Sequence, residues 1–222
     1  MLFDFMANVS KQNVVDYVVA GIKKATKDYS RVTKSFHPLG YGPEYYLSVS
    51  IANSLKKGLE GALIFLEENW KDSVESPERK RKGNWHPNYR YDIVVRRSDK
   101  IEYAAIEVKN KIKSVTKEVI KDFDRITEAV KLEYGENKFE MGIFAFYTQK
   151  RGKENDEKKL GREISERYEK LENALTKRKE KTKLSKSLIP LQLYKDRDGK
   201  LIRGAENSVF VWGGGCFILT PE

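Results

Sequence analysis

Two short apolar segments carry charge where the interior of a sheet tolerates little. Arg90-Tyr91-Asp92-Ile93-Val94-Val95 sets one acid in a run of β-branched and aromatic residues, and Ile106-Glu107-Val108-Lys109 sets an acid and a lysine two residues apart in the next. Such composition reads as strand, and Ser98-Asp99-Lys100 between the two offers turn chemistry. Side chains alternate across a strand, so Glu107 and Lys109 share one face while Ile106 and Val108 share the other. In an antiparallel hairpin, pairing Asp92 with Ala105 or with Glu107 puts it on the Glu107 face, and a slip of one residue reverses it. Two carboxylates and an ammonium on an apolar sheet are costly unless something offsets them. A divalent metal ion would do so. Mg2+ takes oxygen ligands, keeps several waters, and is usually held by one or two carboxylates plus substrate phosphate. It polarises a phosphoryl oxygen and lowers the pKa of a bound water, while a neighbouring lysine can hold that water and offset transition-state charge.

An acid followed about fifteen residues later by Glu-Val-Lys in a strand resembles the PD-(D/E)xK nuclease superfamily, which has the restriction-endonuclease-like fold. Tyr91-Asp92 stands at the "PD" position, with tyrosine in place of proline, and Glu107-Val108-Lys109 at the "ExK" position. The resemblance implies that Asp92 and Glu107 bind the metal and that Lys109 orients or activates the attacking water. Acid-x-Lys alone says little in a chain that is 34% charged, and it recurs at Glu78-Lys80, Glu136-Lys138, Asp156-Lys158, Glu157-Lys159 and Asp198-Lys200. None of those lies in an apolar strand that follows a strand bearing a second acid. The plain alternative for Glu107 and Lys109 is a solvated charge pair on a strand face, worth little energetically.

The surrounding pattern extends the resemblance. Gly42-Pro43-Glu44 opens a helical stripe of Leu47, Ile51 and Leu55, with Pro43 suited to the first helical position and Glu44 to the positive N-terminus. Glu44 falls on the same inward stripe as those leucines and isoleucine. A capping acid ordinarily faces water; in the family, a glutamate from the first core helix joins the metal cluster, and the resemblance carries that role to Glu44. Downstream, Val115, Val119, Phe123, Ile126 and Val130 recur at helical spacing. Met141–Tyr147 is uncharged and aromatic, as a buried strand would be. Helix, hairpin, crossover helix and strand follow the α-β-β-α-β order of the family core, with a third strand either before Asp92 or after Tyr147. The resemblance covers residues 43–148. It implies an α/β fold with a restriction-endonuclease-like core, a central mixed β-sheet flanked by helices, and extra N-terminal and C-terminal elements. The whole of 1–222 reads as one domain, with a basic helical and β extension over 150–222.

Outside that core, residues 11–26 read as an opening amphipathic helix and Ala62–Trp70 as a second helical segment after the first core helix. The polar tract Lys71–Trp85 ends in Arg79-Lys80-Arg81-Lys82, followed by Gly83-Asn84-Trp85, a basic loop with an aromatic beside it. It could contact phosphates and stack on a base, or simply be solvated. Residues 156–182 read as a long charged helix with Leu160, Ile164, Tyr168, Leu171 and Leu175 on one stripe. Its tail carries Lys177, Arg178, Lys179 and Lys181. From Lys150 to Lys186 there are 14 basic and 8 acidic residues, so most of the net charge of +10 resides there; this is the best candidate for a surface tracking a nucleic-acid backbone. Strands at Leu188–Tyr194 and Val209–Leu219 close the chain around the turn Asp196-Arg197-Asp198-Gly199, which lacks the remaining ligands of a calcium loop.

Other chemistries fit poorly. His37 and His86 both precede proline without metal-ligand spacing. Gly213-Gly214-Gly215 lacks the Lys-Ser/Thr of a phosphate loop, and no Gly-x-Ser-x-Gly elbow occurs. A single cysteine, Cys216, excludes a disulfide framework and a thiolate zinc site, fits a reducing compartment, and suits a packed small hydrophobe. Neither a secretory signal nor a run long enough to span a bilayer is visible, so the expected location is cytoplasmic. The expected activity is Mg2+-dependent hydrolysis of phosphodiester bonds, with Mn2+ able to substitute, on DNA in preference to RNA. A restriction-type or recombination and repair endonuclease fits best, with a homodimer as one assembly that would let two sites cut two strands. The rivals are a non-catalytic nucleic-acid-binding protein on the same fold and a ribonuclease.

Overall fold

A computed structural model describes residues 9–33, 39–69, 90–97, 102–131, 139–179, 181–194, 201 and 208–222. The Ser98–Lys100 turn, the Lys71–Trp85 tract with Arg79, Lys80, Arg81 and Lys82, both histidines and the Asp196–Gly199 turn lie outside the described residues.

Helix α1 (Lys11–Val32) starts at Ser10, whose hydroxyl accepts the Asn13 N–H at 3.1 Å, a side-chain cap for an orphan donor of the first turn. It runs past the expected end at residue 26, burying Val14, Val15, Val18, Ile22 and Ala25. Helix α2 (Glu44–Gly58) follows; Pro43 occupies the cap position rather than the first helical one, and Glu44 is the first residue of the helix. The two helices cross where α1 has no side chain. A methyl group on Gly21 would meet Ile51 Cα at 2.5 Å. Backbone cannot yield as a side-chain tip can, so Gly21→Ala is expected to destabilise the fold by about 1–3 kcal/mol, read as a lower urea midpoint at unchanged slope.

Six strands form one mixed sheet: β1 (Leu63–Asn69), β2 (Arg90–Arg96), β3 (Glu102–Lys109), β4 (Met141–Lys153), β5 (Thr182–Leu193) and β6 (Ser208–Pro221), in the order β1-β2-β3-β4-β6-β5. Among the described residues, only β3 and β4 pair in parallel, joined by helix α3 (Lys117–Lys131) as a crossover requires. Helices α1 and α2 pack on one sheet face against Ile93, Val95, Ile106, Val108, Ile143 and Ala145. On the other face, α3 and α4 (Glu157–Thr176) set Phe123, Ile126, Val130, Leu171 and Leu175 against Val94, Ala105, Phe144, Phe146 and Phe217. The alternation of strand side chains thus feeds two apolar layers, giving an α/β fold with helices on both faces.

The segment expected as helical at Ala62–Trp70 is strand β1, antiparallel to β2 through Leu63–Arg96 and Phe65–Val94. Gly61, at φ 78°, breaks the chain out of α2, and the short run Ile64-Phe65-Leu66 has the branched and aromatic content of a strand. Periodicity alone does not separate the two readings over so few residues. This strand takes the first of the two places open to a third strand, before Asp92, and β5 and β6 follow Tyr147 as well. The charged helix also ends sooner than residue 182. Its last helical residue is Thr176, Lys181 turns the chain at φ 48°, and Thr182 already pairs with Pro221. Strand β5 therefore begins before Leu188, and β4 continues beyond Tyr147 to pair Lys153 with Ser208.

Candidate active site at the end of β3

Between β2 and β3 the backbone register runs Val94–Ala105 and Ile93–Ile106, and its continuation sets Asp92 opposite Glu107. Both acids therefore share the sheet face of Val94 and Ala105, which α3 covers. Beyond the last paired residues, Asp92 Oδ2 accepts the Val108 N–H at 2.7 Å, so a side chain takes over from the ladder. This is one of the two pairings the alternation allowed.

Glu107 is only 1% exposed. Its Oε2 accepts from Arg125 Nη2 at 2.7 Å, while its Oε1 is buried with no hydrogen-bond partner. Burial, and then the charge of Asp92, push the Glu107 carboxyl well above the usual carboxylate range, against the opposing pull of Arg125 and Lys109. Burial also raises Asp92; the Val108 N–H opposes it and the charge of Glu44 adds to it. An orphaned buried oxygen beside a second carboxylate is an unbalanced arrangement.

Lys109, on the same strand face, reaches two further acids. Its Nζ lies 3.2 Å from Glu44 Oε1 and 2.8 Å from Asp122 Oδ2, the latter an ion pair off the hydrogen-bond line. Burial alone would lower its pKa, but Asp122 and Glu44 outweigh it and hold the ammonium above its ordinary value. Glu44 Oε2 accepts the Asn110 N–H at 3.0 Å. The Asn110 amide in turn donates to Leu39 O and Gly42 O, at 3.1 and 2.9 Å. That amide ties the segment before α2 to the end of β3 and brings the helix N-terminus to the site. Glu44 thus reaches the site through Lys109, and both of its oxygens are engaged, by the Lys109 ammonium and by the Asn110 N–H.

Asp122, Arg125 and Asn110 were not singled out in the sequence. Asp122 is 6% exposed, and its Oδ1 lies 2.5 Å from Arg125 Nη2. The signal was present: Asp122 falls three residues after Val119 and four before Ile126, on the buried stripe of α3, the same anomaly that drew attention to Glu44. The result is a chain of charge, Glu44–Lys109–Asp122–Arg125–Glu107, with Asp92 beside it.

Among the described residues, no group of three or more His, Cys, Asp or Glu side chains is arranged to hold a metal ion. The pair Asp92 and Glu107 fits a smaller demand. Mg2+ commonly takes one or two carboxylates and fills its other positions with water and phosphate, and the free Glu107 Oε1 is an oxygen of the right kind.

Of the basic tail, Lys177, Arg178, Lys179 and Lys181 lie in the turn between α4 and β5 rather than on a helix. Arg178 Nη1 pairs with Asp124 Oδ2 of α3 at 2.9 Å, both side chains about half exposed, which contributes little to stability. Cys216 is buried on β6, where burial pushes its thiol up to about 12, the wrong direction for a nucleophile. No helix among the described residues is long and apolar enough to cross a membrane. No protein-family model matches the chain, nor does any curated protein or solved structure.

Proposed function

We propose that this protein is a metal-dependent nuclease that hydrolyses phosphodiester bonds, of DNA in preference to RNA, on a restriction-endonuclease-like core. The observation that carries the reading is the meeting of Asp92, Glu107 and Lys109 on one sheet face, with a buried Glu107 oxygen left unpartnered. The β3-α3-β4 crossover, the antiparallel β1 and β2 beside it, and Glu44 at the head of α2 support the same core. Asp92 and Glu107 would hold the cation. When bound, Mg2+ would polarise the phosphoryl oxygen and lower the pKa of a coordinated water. Lys109, fixed between Glu44 and Asp122, presents a positioned donor to that water or to the developing phosphorane charge. Arg125 keeps Asp122 as a partner when Glu107 turns to another cation, so it is not left buried and unpaired. The basic balance of +10 supports a polyanionic substrate.

One observation favours a different reading, a nucleic-acid-binding protein without catalysis. Lys109 and Arg125 already pair with three of the acids, as a purely structural network would. Supercoiled plasmid incubated with Mg2+, with Mn2+ and with EDTA separates the two. Nicked or linear product with either metal and none with EDTA is expected. Binding without cleavage under every metal condition would favour the structural network.

A further inference from the structure

Past Lys109 the chain does not enter α3 directly. Lys111 turns it at φ 58°, Ile112 donates its N–H to Tyr147 O at 3.0 Å, and Lys113, Ser114 and Val115 then border a cavity of about 570 Å³. Its opposite wall is α4, which contributes Glu163, Glu166, Arg167 and Lys170, a stripe at spacings of three and four. Lys150 of β4 also lines it. The lining therefore holds four cations, Lys113, Lys150, Arg167 and Lys170, against two acids. Glu163 pairs with Lys150 and Glu166 is exposed.

Arg167 is the centre of this cleft. Its Nη1 donates to Thr148 Oγ1 at 3.0 Å and to Gln149 O at 3.1 Å, with Ile112 O at 3.5 Å. Every one of these bonds uses the same nitrogen, so Nε and Nη2 make no hydrogen bond to a described residue. A guanidinium anchored by one nitrogen keeps the rest of its donor fork for an oxyanion. Cations also crowd here. Burial and then the charges of Arg167 and Lys159 depress the Lys150 pKa, a repulsion that a bound anion would relieve. Lys113 follows Lys109 by four residues, at most about 14 Å of extended chain, or roughly four nucleotides at about 3.4 Å of rise each.

We propose that the cleft between the β3–α3 connection and α4 binds a backbone phosphate of the nucleic-acid strand that flanks the scissile bond, with Arg167 as the fork and Lys113, Lys150 and Lys170 around it. That the neighbouring bond is the one cleaved rests on the nuclease reading, whereas the phosphate site rests on the cleft's own geometry. It moves the principal backbone contact away from the α4–β5 turn and onto the middle of α4.

The test is binding of a labelled DNA oligonucleotide in EDTA, by fluorescence anisotropy across a salt series, so that cleavage plays no part. Lys113 and Lys170 are both exposed, and the double variant Lys113→Gln/Lys170→Gln should fold as the wild type does. It is expected to bind roughly tenfold more weakly at low salt, with the log–log salt slope reduced by about one unit, because the slope counts phosphates neutralised and both lysines surround the same one. Adding Lys150→Gln should deepen the loss. Unchanged affinity and slope in the double variant would overturn the proposal. So would a slope carried wholly by Lys177, Arg178, Lys179 and Lys181, or a wild-type protein that binds no oligonucleotide. A mononucleotide bound as tightly as the oligonucleotide would mark a free-nucleotide pocket and also sink the idea. Loss of slope in the double variant together with no plasmid cleavage by the wild type under any metal keeps the phosphate cleft and discards the nuclease reading instead.

Discussion

Glu107→Gln is expected to cut metal-dependent cleavage about a thousandfold or more, while the metal-free variant gains stability above mildly acidic pH. The first effect follows from removing an anionic ligand. Lewis-acid stabilisation supplies several kcal/mol of the barrier reduction, and each 1.36 kcal/mol is tenfold in rate. The second follows from linkage. Burial and Asp92 raise the folded-state pKa of Glu107 above its ordinary 4.5, so the native protein holds a proton that the unfolded chain has already lost. Between those two values the folded state binds more protons, and stability falls as pH rises. Burial raises Asp92 in the same direction and adds to the slope. Glutamine is neutral at every pH, which removes the Glu107 share of the decline. Arg125 is not stranded by the change, since Asp122 Oδ1 remains 2.5 Å from its Nη2 and the glutamine oxygen can still accept. Urea midpoints over a pH series, beside plasmid cleavage, read both effects. Cleavage at the wild-type rate would remove Glu107 from the site. A large loss of stability at all pH values, as when one partner of a buried ion pair is deleted, would make the Arg125 contact its purpose.

How far the site was legible depends on which residues stand against their background. Asp92 and Glu107 stand out because strands β2 and β3 are otherwise apolar at those positions, and the two-residue repeat then fixes their common face once the register is known. Glu44 stands out less, as one acid on an apolar helical stripe. Asp122 does the same on α3, but a helix in a chain that is 34% charged offers many such residues, and only the fold shows that Arg125 joins it to Glu107. Asn110 carries no signal at all. Its role is to hold Leu39 O and Gly42 O, contacts more than sixty residues away that no local pattern encodes. The same limit governs β1, where Ile64-Phe65-Leu66 suits helix or strand until an edge of the sheet is found to need it. It governs the helix end at Thr176 too, since the pairing of Thr182 with Pro221 competes with continued helix and wins.

Lys109→Met should separate chemistry from metal binding more sharply than any change to a carboxylate. Methionine keeps an unbranched stem as far as Cε, with a thioether sulfur in place of one methylene, and lacks the ammonium. The two acids it leaves are not abandoned. Glu44 is 41% exposed at its side chain and retains the Asn110 N–H, and Asp122 retains Arg125. The fold should therefore survive with a modest loss of stability. Asp92 and Glu107 are untouched, so Mn2+ binding followed by calorimetry should stay within a fewfold of the wild type, weakened little because removing a nearby cation favours a metal ion. Cleavage should fall about 100- to 1,000-fold, the usual cost of losing one positioned donor to a transition-state charge. Lys109→Arg probes the geometry as well: a planar fork cannot replace a compact ammonium seated between Glu44 and Asp122, and it should restore little of the rate. A structural lysine would behave in the opposite manner, with Lys109→Met losing stability and Mn2+ affinity together while the rate per folded molecule stays at the wild-type level. That pattern would return Lys109 to the salt-bridge network and leave catalysis without its proposed water-positioning group.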